Sequence, residues 1–147
     1  MAFNFKLERV LDYRRQREEQ AMQNLAAGLR RQEAEELRRE RLKEELDAQE
    51  KAMGSRLADA GQRWLTMSFI KALREDIFTA TANLEILREE TRLLQAELLE
   101  KSKEKKLLDS LKNRQAERHA QEENIREQRE NDETTTIRHG QKAHALL

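Results

Sequence analysis

The sequence predicts an all-α protein, a long antiparallel two-helix coiled coil whose second helix is longer than the first. Three observations predict it. The 147 residues contain no proline and only four glycines, whereas disordered chains are usually rich in both. Charged residues make up 39%, hydrophobic residues 37% and aromatic residues 4%, with a mean hydropathy of −1.03. A rounded core wants roughly 45–50% apolar residues, so the apolar side chains have to be laid out along stripes instead. Most of the remainder is Ala, Leu, Glu, Lys, Arg and Gln, the strongest helix formers. The third observation is a periodic stripe in the middle of the chain.

The first helix is expected over about residues 6–53, roughly 70 Å at 1.5 Å per residue. Its apolar positions (Leu7, Val10, Leu11, Ala21, Leu25, Leu29, Leu37, Leu42, Leu46) are sparse and irregular. Pairs such as Glu35 with Arg39 place an acid four residues before a base, a spacing worth about 0.2–0.5 kcal/mol. Glu97 with Lys101 and Glu122 with Arg126 repeat it further on. A turn is expected at about residues 54–61. Gly54 sits where a left-handed glycine would end the first helix, and Asp59 followed by Gln62 resembles a capping box, which Gly61 weakens.

The second helix is expected over about residues 62–138. Ile70, Leu73, Ile77, Ala80, Leu84, Leu87, Thr91, Leu94 and Leu98 follow at alternating spacings of three and four. That is a heptad seam, and it implies supercoiling against a partner helix. The register then meets Lys101 and Lys105 and recovers at Leu108, so the seam weakens there. With the turn centred near residue 57, opposed residues should have numbers that sum to about 115. Leu7 then meets Leu108, Ala21 meets Leu94, Leu29 meets Ile86 and Leu87, and Leu37 meets Ile77 and Phe78. Leu42 meets Leu73, and Leu46 meets Phe69 and Ile70. Val10 and Leu11 fall opposite Glu104 and Lys105, so this end should be looser. Residues 112–138 are left without a partner in the chain, and 140–147 are expected to be a disordered tail. Residues 1–139 are read as a single hairpin domain.

Net charge is formally zero, 29 basic against 29 acidic residues. A nucleic-acid footprint needs a basic surplus on one face, and the short basic runs 14–17, 38–41 and 103–106 each have acids close by. No stretch approaches the ~20 apolar residues that cross a bilayer. The opening residues 1–6 lack the apolar core of a secretory signal. No cysteine is present, which fits a reducing compartment. No catalytic constellation stands out: Gly28, Gly54, Gly61 and Gly140 are far apart, and of His119, His139 and His144 no two lie four apart. His119 near Glu122 and Glu123 reads as exposed polar surface. No catalytic residue, cofactor or metal is expected. The densest apolar cluster follows the turn: Trp64, Leu65, Met67, Phe69, Ile70 and Leu73. Either it plugs the hairpin tip, or part of it is left for a partner, with Leu73 inside and Trp64 or Phe69 outside.

The opening Phe3-x-Phe5-x-Leu7-Glu8-x-Val10-Leu11-x-x-Arg14 resembles the start of the flagellar export protein FliJ family. So does Arg63-Trp64 followed by Phe69-Ile70 and Leu73, and so does the run from Lys103 through Leu107-Leu108 to Arg114. Glu130-Asn131-Asp132-Glu133 resembles that family's acidic patch near the C-terminus. The resemblance spans nearly the whole chain and implies a non-enzymatic, stalk-like part of the bacterial flagellar type III export apparatus. Its implied partners are the export ATPase hexamer, the export gate membrane protein and export chaperones. Its implied place is the cytoplasm, peripherally associated with the inner membrane. The end near the termini would enter the ATPase ring, with Arg14, Arg17, Lys105 and Arg114 as candidate contacts. The tip, with Trp64, Phe69 and Leu73, would meet the gate. Two other readings are a self-associating adaptor or secretion chaperone that uses the Ile70–Leu98 seam between chains, and a helical nucleic-acid binder.

Overall fold

A computed structural model describes residues 2–55 and 60–145. Two helices account for nearly all of them: α1 over Glu8–Ser55 and the longer α2 over Ala60–Ala145. Residues 2–7 precede α1 as a non-helical arm. Contacts between α1 and α2 run antiparallel, so the fold is the expected two-helix hairpin. Two compact units divide the chain, Met1–Gln16 with Ser102–Leu147, and Arg17–Lys101.

In the Arg17–Lys101 unit, the predicted α2 seam is the buried face. Ile70, Leu73, Ala80, Leu84 and Thr91 are buried, and Ile77, Leu87, Leu94 and Leu98 are half-buried. The buried Thr91 hydroxyl donates to the Leu87 carbonyl at 2.9 Å, so this polar group in the α2 seam is satisfied inside its own helix. The seam is occupied by α1 of the same chain, not by a second chain as the adaptor reading required. The α1 face answers with an unbroken three-four spacing: Glu18, Ala21, Leu25, Gly28, Gln32, Glu35, Arg39, Leu42, Leu46, Gln49 and Met53 are the less exposed positions. Five of these eleven are polar. Long charged side chains can lie there because their stems pack while their heads reach water.

The register differs from the expected one. Opposed numbers add to 119 for Gly28 with Thr91, and to 124 for Glu36 with Arg88 and Glu50 with Arg74, not to 115. Leu29 and Leu37 are consequently exposed, at 38% and 53%. Part of the offset is geometric. Helical side chains lean toward their own N-terminus, so touching residues on antiparallel helices lie about one position further along each strand. The rest is a slip of register. Gly28 takes the seam position beside Leu29: a Cβ there would stand 2.7 Å from Leu94 Cδ1 and 3.7 Å from Thr91 Oγ1. Glycine lets the two helices close at that level.

In the other unit, the end near the termini is well packed, which corrects the expectation that it would be looser. Leu11 is fully buried, and with Phe5 and Leu108 it makes a small core, onto which Phe3 and Leu111 pack. Leu11, not Leu7, is the residue that meets Leu108; Leu7 is 40% exposed. The physical reason is the arm, whose two aromatic rings cover α2 where α1 no longer can. Phe3 lies against His119, with ring centroids 5.7 Å apart. Half-buried positions therefore continue to Glu123, and exposure is uninterrupted only over residues 124–145. The overhang is shorter at its base than the 112–138 expected.

Both helix ends near the turn also differ. Gly54 is helical, and no described glycine has a positive φ. Gly61 lies inside α2. Asp59 falls outside the described residues. At the far end α2 continues past Arg138 to Ala145, so residues 140–145 are helical where a disordered tail was expected. Nothing in that stretch breaks a helix. Thr134 and Thr136 return their hydroxyls to carbonyls four residues back, each at 2.8 Å, and Lys142 and His144 lie in the last turn, where positive charge suits the helix dipole.

Candidate functional site

The residues that open α2 include several large, exposed apolar side chains. Helical spacing separates them by role. Leu73 belongs to the seam and is 5% exposed, whereas Trp64 is 68% and Phe69 45% exposed. Leu65 and Met67 are exposed too. The three site residues predicted there therefore divide, Leu73 inward and the two aromatic rings outward. Trp64 and Met67 from α2 face Met53 from α1 across a groove that Ile70 floors. Lys71 lines the same groove, and Arg74 closes one side by reaching across to Glu50 at 2.9 Å. Met67 belongs to the apolar cluster read from the sequence, and the structure adds the groove that it shares with Met53. The seam spacing carries Met53 into line with Leu46 and Gln49. Methionine is unbranched and polarizable and adapts to varied apolar partners.

Near the termini, charged side chains bind α1 to α2. Lys112 Nζ lies 2.9 Å from a Glu8 carboxylate oxygen, and Arg15 spans Asp109 at 3.5 Å and Asp12 at 3.3 Å. The four basic residues predicted as ring contacts differ in burial. Arg14 is half-buried and donates to the Glu104 backbone carbonyl at 2.7 Å. Lys105 is half-buried, and Arg114 is exposed in the same unit. Arg17 is exposed and belongs to the other unit. His119 Nε2 stands 3.8 Å from a Glu123 carboxylate oxygen.

Two further facts bear on what the surface can do. Among the described residues, no group of His, Cys, Asp and Glu is arranged to hold a metal ion, and no helix is long and apolar enough to cross a membrane. On the face of α2 turned away from α1, Arg92 grips Glu89 at 2.6 Å; this hydrogen bond holds the Glu89 carboxyl below its ordinary value and raises Arg92.

No curated protein and no solved structure matches the chain. The family model described as the flagellar FliJ protein does match, over residues 3–144. That span takes in both helices, the aromatic arm and nearly all of the overhang. The chain therefore belongs to the flagellar FliJ protein family, a non-enzymatic component of the flagellar export apparatus.

Proposed function

We propose that this protein is the stalk-like coiled coil of the export apparatus, binding the export ATPase hexamer near its termini and the membrane export gate at its tip, and assisting chaperone recycling. Its place would then be the cytoplasmic face of the inner membrane, held there by protein contacts. The observation that carries the tip assignment is the exposure of Trp64 and Phe69 beside a seam that is otherwise closed. A tryptophan left two-thirds exposed next to a groove is an unusual cost for a plug and an ordinary feature of a binding anchor. Mixed surface charge suits the ATPase contact, since exposed ion pairs worth ~0–1 kcal/mol are easily exchanged.

Co-purification from the cognate extract tests this reading. The intact chain should bring down the hexameric ATPase and the gate protein. A Trp64→Ala, Phe69→Ala double variant should keep its helix content and the ATPase while losing the gate protein. Retention of the gate by that variant would reject the tip assignment, and capture of neither partner by the intact chain would reject the stalk.

A further inference from the structure

The face of α2 opposite the seam carries a second apolar stripe. Phe78, Ala82, Ile86, Leu93, Ala96 and Leu99 lie on it, all exposed; Phe78 reaches 77%, Ile86 59% and Leu93 55%. In heptad terms these are three adjacent rows centred half a turn away from the Ile70–Leu98 seam. A solvated helix face has no need of this pattern, and α1 has none as regular on its outer side.

The order of residues along the stripe is self-complementary about Glu89. Ala82 and Ala96 lie seven residues before and after it, in the middle row. Ile86 and Leu93 lie three before and four after, in one flanking row. Phe78 and Leu99 lie eleven before and ten after, in the other. A two-fold axis perpendicular to α2 pairs each row with itself in a copy running the opposite way, which is the geometry an isologous interface demands. Large side chains then meet large ones on both flanks, and the alanines allow the two helices to approach. The charges agree in the same register. Glu85 and Arg92 share the row of Phe78 and Leu99, four before and three after the centre, so each glutamate meets the arginine of the copy. A parallel pairing would instead set this row against the row of Ile86 and Leu93, leaving both charges against apolar side chains.

We infer that α2 binds a second copy of this chain, antiparallel, through the Phe78–Leu99 stripe with its two-fold axis at Glu89. The inference stands apart from the export assignment and does not rest on it. The contact is one helix face wide, so it belongs with the smaller, transient interfaces below about 1,200 Å². Association in the range of tens of micromolar is expected. The two Glu89 carboxylates near the axis are its one unfavourable feature, moderated by the Arg92 beside each.

The absence of cysteine makes a clean test available. Full-length Ala82→Cys and Ala96→Cys chains are mixed at about 200 μM and oxidised, and the disulfide-linked species are resolved by mass. The Ala82→Cys chain should link to the Ala96→Cys chain several-fold more than either links to itself. Predominant self-linking, or a chain that stays monomeric by sedimentation at that concentration, overturns the inference. An Ile86→Glu, Leu93→Glu double variant, at exposed sites that leave helix content unchanged, should weaken dimerisation at least tenfold, and Glu89→Ala should strengthen it. A double variant that dimerises as the parent does, or that remains as monomeric as the parent while losing a different protein, assigns the stripe elsewhere and is equally decisive.

Discussion

At the scale of single residues, burial separates leucines that composition treats alike. Leu11 and Leu84 are fully buried, whereas Leu29 and Leu37 are more than a third exposed. Truncating a buried leucine costs about 2–5 kcal/mol, and truncating a surface one within about 0.5 kcal/mol. Urea unfolding should therefore show large losses for Leu11→Ala and Leu84→Ala and almost none for Leu37→Ala. A large loss at Leu37 would restore the register in which it faces Ile77, and so contradict the observed one. Gly28 offers a graded probe of how closely the helices approach. Alanine gains about 1 kcal/mol of helix propensity and displaces only the tip of Leu94. Gly28→Ala should thus be near neutral. Gly28→Phe should destabilise by about 1–3 kcal/mol, the cost of overpacking, and equal stability of the two variants would show that the helices are not in contact there.

At the scale of elements, the arm and the overhang behave oppositely. Phe3 and Phe5 cover α2 from Leu108 to His119. A Phe3→Ala, Phe5→Ala variant should lose amide protection in residues 108–119 while the amides of 70–98 keep theirs. Uniform loss throughout would mean that the arm supports more than its own end. Residues 124–145 are exposed at every position. Ending the chain after Glu123 should lower total ellipticity yet leave the melting temperature within about 2 °C, well below the 4–8 °C shift that 1 kcal/mol produces in a small domain. A larger fall would reveal contacts made by the overhang.

These elements also show what the sequence made legible and what it hid. The α2 seam was legible because its positions are almost all apolar, and periodicity is the strongest sequence signal there is. The α1 seam was not. Its spacing is as regular, but Glu18, Gln32, Glu35, Arg39 and Gln49 occupy it, while the conspicuous Leu29 and Leu37 lie off it. Arg39 shows the strain of that choice, with its Nε buried and without an acceptor. Glu35 turns instead to Arg38 at 3.1 Å, three residues on rather than the expected four. The arm was hidden for another reason. A short irregular segment has no period, and its two phenylalanines reveal their purpose only when α2 is set beneath them. The tip was half legible. Its apolar density was plain in the sequence, as was the reading with Leu73 inside and Trp64 or Phe69 outside, but the choice between that reading and a plug depends on how the helices pack.

At the scale of the molecule, the chain is a two-helix hairpin whose exposed apolar side chains include those at the start of α2 and those along the back of α2. Family membership ties it to flagellar export, and its proposed role there is contact with other proteins. The central claim is that this contact includes the export ATPase. ATP turnover by the cognate hexamer, measured as the purified chain is titrated in, tests it most directly. Turnover should rise severalfold and saturate near one chain per hexamer, and it should rise equally with the Trp64→Ala, Phe69→Ala variant, whose changes touch the proposed gate contact and not the proposed ATPase contact. Turnover that stays flat at saturating chain would contradict the account.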